Sequence, residues 1–340
     1  MSTRTLSTTT LPVLAAALSL LLAAAPSAQQ AASSASKSPG KWSAPRTPWG
    51  DPDLQGSFTN KDENGTPFER PAELAGKSLS DFGEKELAEL RKTRQARAQA
   101  GAGRIGGSEE EDTGAGPSHW YEHLDASNSQ AWFVFEPADG KIPGLTQEAR
   151  DRAAARQAAR RGRGPADSWT DRSLYDRCIT RGIPGSMMPA IYGNAYDITQ
   201  GPGFVAIRYE MIHETRIIPL DRSAHLPASF RQYTGDARGH WDGDTLVVET
   251  TNFNEGGAYR GASRSLKMTE RFTLVGPNTI KWEGRFEDPS TWERPWAMTM
   301  PLKRDTEDGG LFEYACHEGN RGLHNILSAA RAEEQAAAKK

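Results

Sequence analysis

The chain has 340 residues, with 41 basic and 44 acidic side chains that give a formal net charge of −3. This near balance gives no electrostatic reason to expect nucleic acid or an anionic membrane as a partner. Two cysteines are too few for the usual cysteine-rich structural zinc sites.

Residues 1–28 have the layout of a secretory signal peptide. Arg4 precedes a nearly continuous run of Leu, Val and Ala over residues 11–25, and Pro-Ser-Ala follows that run. An apolar run of about 15 residues is short for a membrane span, which needs roughly 20. We therefore expect export with cleavage near Ala28, and a periplasmic or extracellular protein that does not contact the membrane afterwards.

Residues 29–41 predict a disordered leader, because Ser, Ala, Gln, Lys and Gly cannot bury enough surface to fold. Residues 42–169 are predicted to wrap around a later domain. A Gly-rich stretch with an acidic run, residues 101–118, predicts a flexible loop within this wrapping segment. Residues 132–135 predict a short strand followed by a turn.

Two helices are predicted in the wrapping segment. The first lies between residues 71 and 100, with Ser80 or Asp81 as its N-cap. The second begins after Thr146 and ends near Arg161.

Residues 170–328 predict a β-domain, followed by a C-terminal tail at residues 329–340. Successive side chains of a strand point to opposite faces, so the apolar parity of each run identifies its buried face. Residues 204–219 predict one strand with His213 on its apolar side. Residues 266–274 predict another, with Glu270 on an otherwise apolar face. Residues 280–287 and 296–302 alternate with no polar intruder.

A final strand is predicted at residues 311–317, where either Glu313 and His317 point inward or the aromatic residues of the other parity do. Ionisable groups on apolar faces cost several kcal/mol unless they are paired, so His213, Glu270, Glu313 and His317 need each other, water or a ligand. A buried network that fixes strand register would satisfy them. These four are candidate catalytic residues, with His213 and Glu270 as general base and acid. Alternatively, His213, Glu270 and His317 could hold a divalent metal. No other cofactor is expected.

The inward faces of these strands supply an adaptable apolar wall for a small ligand. Its predicted lining residues are Met211, Met268, Trp282, Phe286, Trp296 and Met298, with Met300 beside them. The alternative is that these side chains simply fill the core.

Five stretches resemble an uncharacterised family of exported bacterial proteins. In chain order they read TPWGDPDLQG, RCITRG, EMIH, GHWDGDTLVVETTNF and YACHEGN. The resemblance covers nearly the whole mature chain and implies export. It implies no activity, substrate or catalytic residue.

Cys178 and Cys316 are expected to form a disulfide, because an even number of cysteines in an oxidising compartment favours pairing. The alternative is two buried free thiols.

The spacing of the strands and the absence of βαβ alternation predict a mainly β fold, an antiparallel lipocalin-like (calycin-like) barrel or strongly curved sheet. We interpret the chain as an exported enzyme that acts on an apolar or aromatic small molecule by His/Glu acid–base chemistry. A non-catalytic binding protein and a structural barrel with a filled core are the alternatives. The oligomeric state is left open by the sequence.

Overall fold

Ten antiparallel strands form one sheet that curves until its two end strands almost meet. The computed structural model describes residues 42–105, 127–257, 259–306 and 310–339, without the side chains of residues 97–105. The predicted signal peptide, the leader and residues 106–118 of the predicted loop lie outside this part of the chain. Among the described residues, no helix is long and apolar enough to cross a membrane.

The strands follow the chain around the sheet with one exception near its middle. They are β1 (Gly56–Thr59), β2 (Val134–Glu136), β3 (Ala195–Gly201), β4 (Phe204–Tyr209), β5 (Thr215–Pro219), β6 (Asp236–Asp242), β7 (Thr245–Thr251), β8 (Lys267–Gly276), β9 (Thr279–Glu287) and β10 (Trp296–Arg304). Their order is β5-β4-β3-β1-β10-β9-β8-β7-β6, and β2 pairs with β10 beside this path.

The end strands β5 and β6 approach each other without pairing, so the sheet nearly closes into a barrel. A Cβ atom at Gly239 of β6 would lie only 2.7 Å from Ile218 Cγ2 of β5. Glycine therefore permits the close approach of the two ends. The predicted fold class, a mainly β antiparallel barrel or strongly curved sheet, is confirmed.

Strands β1 and β2 come from residues 42–169, the segment that was predicted to wrap around the later domain. Phe58 and Thr59 of β1 pair with both β3 and β10, so this short strand joins the two halves of the sheet. The short strand predicted near residues 132–135 is confirmed as β2. The sequence pattern did not single out β1 or β3 as strands.

Three α-helices accompany the barrel: α1 (Glu84–Ile105), α2 (Gln147–Ala159) and α3 (Arg321–Ala337). The second was predicted correctly, and Thr146 Oγ1 accepts a hydrogen bond from Ala149 N. The first begins later than its predicted caps and extends through residues 101–105, which were wrongly predicted as loop. The third was missed and occupies most of the predicted tail, although apolar residues at Leu323, Ile326, Leu327 and Ala330 have helical spacing.

The buried faces predicted for β8, β9 and β10 are confirmed, although Ala297 and Thr299 on the other face of β10 are buried as well. Phe286 and Trp296 are fully buried and stack with ring centroids 4.2 Å apart. Trp282 folds over Gly284, where a Cβ atom would lie 2.6 Å from the indole. Five of the six predicted lining residues belong to one hydrophobic core: Met268, Trp282, Phe286, Trp296 and Met298. These side chains pack against each other inside the barrel, as the alternative of a filled core predicted.

The prediction of one strand across residues 204–219 is wrong. A tight turn separates β4 from β5, with left-handed backbone at Ile212 (φ 60°) and His213 (φ 41°). The turn reverses the chain and shifts the parity of the residues after it. Arg216 therefore points into the barrel at 4% exposure, while Ile217 points outward at 64%. No Gly or Pro marks this turn in the sequence, which is why the alternation was continued through it.

The prediction of a strand at residues 311–317 is also wrong, because this stretch pairs with no described strand. Glu313 and His317 are exposed on it. Apolar and polar residues alternate here. Alternation produces a strand only where an adjacent strand is available for backbone hydrogen bonds.

A buried ion pair crosses the barrel interior. Arg216 Nη2 on β5 donates to the Glu270 carboxylate on β8 and, at 2.9 Å, to Thr250 Oγ1 on β7. Trp282 Nε1 donates to the other Glu270 oxygen at 3.1 Å. Burial by itself would lower the pKa of the Arg216 guanidinium, but the adjacent carboxylate outweighs it and raises that pKa. Arg216 therefore stays charged, and its contacts link one end of the sheet to strands near the other.

A second buried carboxylate anchors the wrapping segment. Glu63 is 1% exposed and accepts hydrogen bonds from Ser129 N and Thr66 Oγ1, each at 2.9 Å. Burial raises the pKa of the Glu63 carboxyl above its ordinary value, and these hydrogen bonds offset part of the rise. The folded chain therefore binds this proton more tightly than the unfolded chain does.

We expect Glu270→Gln to lower the free energy of unfolding by about 3–5 kcal/mol, because it leaves the Arg216 guanidinium buried without a counter-charge. Replacing both residues, with Arg216→Met and Glu270→Met, should recover part of this loss. The matched control is Glu249→Gln, which breaks the surface pair with Lys267, whose side chains are 42% and 40% exposed; its cost should stay below about 1 kcal/mol. Urea unfolding measures all three variants, and equal losses at Glu270 and Glu249 would contradict the expectation.

Glu63→Gln should change how stability depends on pH. The stability that Glu63 contributes by binding its proton is fully present below its ordinary pKa of 4.5 and is lost as the pH rises through the raised pKa. The stability of the wild type relative to Glu63→Gln should therefore increase when the pH falls from 8 to 4.5. Urea unfolding at both pH values measures this difference. The exposed Glu89→Gln serves as the control, and a difference that stays constant or reverses sign would contradict the assignment.

Candidate ligand-binding cleft

A cleft of about 790 Å³ opens at one end of the barrel. It lies between three parts of the chain: the β4–β5 turn, the connection from β7 to β8, and residues 173–192, which we call the cap segment. The cleft is lined by Ser173, Leu174, Tyr175, Thr180, Arg181, Gly182, Gly185, Met188, Ala190, Ile191, Tyr192, Met211, Gly256, Gly257, Tyr259 and Arg260. The volume lies within the range of about 300–1,000 Å³ that small-molecule sites occupy.

A disulfide holds the cap segment to the chain that follows the barrel. Cys178 and Cys316 are bonded, with Cα atoms 5.7 Å apart, so the predicted disulfide is confirmed. Tyr175 and Tyr314 reinforce it with a hydrogen bond of 2.9 Å between their hydroxyls. Asn320 Nδ2 also donates to the Asp176 carbonyl at 2.9 Å. These contacts fix the wall of the cleft that the barrel itself does not provide.

Thr180 attaches the cap segment to the barrel itself. Its hydroxyl lies 2.8 and 3.0 Å from the two oxygens of Glu214, beside the β4–β5 turn, and it accepts a hydrogen bond from Gly182 N. Burial raises the pKa of the Glu214 carboxyl, and the hydrogen bond from Thr180 partly offsets this rise. Cys178 and Thr180, two residues apart, thus attach the cap segment to the chain after the barrel and to the β4–β5 turn.

The floor of the cleft is continuous with the barrel core. The Tyr259 ring stacks on Phe286 at 5.5 Å, and Phe286 in turn stacks on Trp296. Burial raises the pKa values of Tyr175 and Tyr259, so both hydroxyls are neutral at physiological pH and can donate hydrogen bonds. A ligand would therefore meet flat apolar rings with hydroxyl groups at their edges.

Left-handed backbone occurs around this cleft at residues other than glycine. Cys178 (φ 56°), Ile212 (φ 60°) and Arg260 (φ 52°) all adopt it. Such conformations cost about 1–3 kcal/mol each and occur most often at functional sites and ligand clamps. The strain is therefore consistent with a site that is shaped for a purpose other than stability.

The structure separates the predicted acid–base pair. His213 lies exposed in the β4–β5 turn, where Nδ1 donates to the Tyr314 carbonyl at 2.9 Å. Glu270 is inaccessible inside the barrel and bonds Arg216 and Trp282. The expectation that these two side chains share one cavity is wrong. Arg216, the actual partner of Glu270, was missed because its parity depends on the turn.

The predicted metal ligands do not come together either. His213 and His317 lie near each other at the surface, with ring centroids 5.9 Å apart, but Glu270 is inside the barrel. Among the described residues, no group of three His, Cys, Asp or Glu side chains could hold a metal ion. Glu313 is exposed on the same surface segment as His317.

Of the six predicted ligand-lining residues, Met211 is the one that lines this cleft. The sequence analysis did not single out Tyr175, Arg181, Tyr192 or Arg260 as site residues. Arg181 lies within the RCITRG stretch, and that stretch was the available signal.

The comparisons with known proteins do not assign a function. No protein-family model matches the chain, and no curated protein matches it. Among solved structures, wild-type fluorescent protein UnaG is 14% identical with a TM-score of 0.20, and the match covers 33% of this chain and 72% of UnaG. A heat-soluble SAHS protein from Ramazzottius varieornatus is 11% identical with a TM-score of 0.23, and the match covers 39% of this chain and 87% of that one.

We expect no reactive thiol when the protein is denatured without reductant, and two after reduction. Cys316→Ser should lower the free energy of unfolding by about 2–5 kcal/mol, because the bridge constrains a long loop in the unfolded chain. The double variant, with Cys178→Ser added, should be about as stable as the single one, since the bridge is already lost. Thiol titration and urea unfolding measure these outcomes, and two reactive thiols in the unreduced protein would contradict the bridge.

Proposed function

We propose that the protein is an exported binding protein that holds a small apolar or aromatic molecule in the cleft at the end of the barrel. The carrying observation is the cleft itself, which combines a suitable volume with apolar walls and a few polar groups. Three tyrosines and two methionines are among its lining residues. Such side chains adapt to planar ligands at small entropic cost.

The chemistry of the lining residues favours binding over acid–base catalysis. Within the described part of the chain, no His, Asp, Glu, Lys or Cys lines the cleft. General acid–base catalysis most often uses His, Asp, Glu or Lys. The His213 and Glu270 pair, on which the enzyme interpretation depended, is divided between the surface and the barrel interior. A binding protein needs neither group.

Two features support export. The first is the signal-peptide pattern of the N-terminal sequence. The second is the disulfide between Cys178 and Cys316, because such bonds persist in oxidising compartments. We propose a small molecule as the partner, with no nucleic acid and no membrane contact after the signal is removed.

Filling the cleft should abolish binding. A Cβ atom at Gly185 would meet nothing closer than Arg181 Cβ at 3.8 Å, so Gly185→Phe can place its ring in the cleft with little backbone strain. The probes are 2-naphthamide and 2-naphthoate, a neutral and an anionic molecule of nearly equal shape. We expect saturable binding of at least one probe by calorimetry, and a loss of at least about tenfold in Gly185→Phe.

The matched control is Gly276→Phe in the turn between β8 and β9, where an added Cβ atom would have nothing within 4 Å. This variant should bind the probes as the wild type does. Absence of saturable binding for both probes, or equal affinity in Gly185→Phe and the wild type, would refute the proposed function.

A further inference from the structure

The charge of the cleft suggests which ligands it accepts. Arg181 and Arg260 line it, and no carboxylate lies among its described lining residues. Neither guanidinium forms an ion pair with a described Asp or Glu. Two positive charges therefore stand uncompensated in the cleft of a chain whose formal net charge is −3.

Arg181 carries the most direct evidence. Its Nη1 atom is buried and has no hydrogen-bond partner among the described residues. Its guanidinium carbon lies 5.4 Å from the centre of the Tyr175 ring, which orients the side chain but accepts no strong hydrogen bond. A buried N–H group without an acceptor is costly, so such groups are normally satisfied by protein, water or ligand. An acceptor in the cleft would satisfy this one.

Arg260 is held in a strained but well-packed position. Its backbone is left-handed, and its guanidinium carbon lies 4.4 Å from the centre of the Phe68 ring and 6.0 Å from that of Tyr259. Contacts with aromatic faces keep a guanidinium in place while its N–H groups remain available in the plane of the group. The fold thus accepts backbone strain at the residue that supplies the second positive charge.

In a second cleft, of about 640 Å³, the protein itself supplies acceptors for basic side chains. Arg70, Lys77 and Lys281 line it. Lys281 Nζ lies 2.7 Å from Glu283, which lines the same cleft, and Arg70 donates to the Lys77 carbonyl. Two of its three basic residues therefore already have acceptors there. The guanidiniums of the barrel-end cleft lack this compensation.

We propose that the barrel-end cleft recognises a carboxylate carried on a flat apolar body. Arg181 and Arg260 bind the carboxylate, and the rings of Tyr175, Tyr192 and Tyr259 contact the body. A guanidinium presents N–H groups in a planar fork that matches the two oxygens of a carboxylate. This inference rests on the proposed function and defines the ligand class of the same cleft.

The wild-type protein by itself provides the first test. Charge-assisted hydrogen bonds are about twice as strong as neutral ones, so 2-naphthoate should bind at least about tenfold more tightly than 2-naphthamide. Its affinity should also fall with added salt, whereas that of the amide should not. Equal affinity for the two probes would overturn the carboxylate proposal while leaving the binding function intact. Binding of neither probe would instead refute the binding function.

Variants of the guanidiniums provide the second test. Arg181→Met and Arg260→Met should each lower the affinity for 2-naphthoate about tenfold and leave that for 2-naphthamide nearly unchanged. Retained binding of 2-naphthamide by these variants shows that the cleft is still folded. Arg181→Lys, which keeps the charge but not the fork, should lie between Arg181→Met and the wild type.

The control for lost positive charge is Arg208→Gln on β4, an exposed residue outside the cleft. It should leave both affinities unchanged. Recognition by the cleft guanidiniums would be overturned if Arg181→Met lost affinity for both probes to the same extent. It would also be overturned if Arg208→Gln lost as much affinity for 2-naphthoate as Arg181→Met does. Should Arg181→Met fail to fold, Arg260→Met and the wild-type comparison still decide the question.

Discussion

The ion pair between Arg216 and Glu270 is the contact on which the closure of the barrel depends. The two end strands β5 and β6 approach each other without ladder hydrogen bonds, so the sheet needs another link between its ends. Arg216 supplies it by reaching from β5 to Thr250 on β7 and Glu270 on β8. A buried pair of charges need not add net stability, but it penalises arrangements that separate its members. It therefore favours this register and curvature over alternatives.

Large apolar side chains such as Trp282 and Trp296 pack together inside the barrel. The candidate cleft lies at the end of the barrel. The cap segment crosses one end of the barrel. It is held there by the Cys178–Cys316 disulfide and by the hydrogen bond from Thr180 to Glu214 beside the β4–β5 turn. A rigid, filled barrel thus serves as the support for a site built from connecting segments, where binding residues are commonly found.

The cleft and the barrel interior treat buried charge in opposite ways. Inside the barrel Arg216 has a carboxylate partner, and the charge is neutralised within the fold. In the cleft Arg181 and Arg260 have no carboxylate partner among the described residues. Neutralising a cation inside the protein serves folding, whereas leaving it uncompensated in a cleft favours an anionic ligand. The proposed ligand class follows from this contrast.

The sequence by itself determined the class of fold, the buried faces of β8 to β10, the second helix and the pairing of the two cysteines. Alternation and capping are local signals, so they are readable wherever the chain continues in one regular element. The tertiary structure decided which polar groups meet. One turn at Ile212 and His213 inverted the parity of β5, moved His213 to the surface and gave Glu270 its arginine partner. The cleft residues were not predictable because separate segments of the chain line it, and no local pattern records which connecting segments a closed barrel brings together.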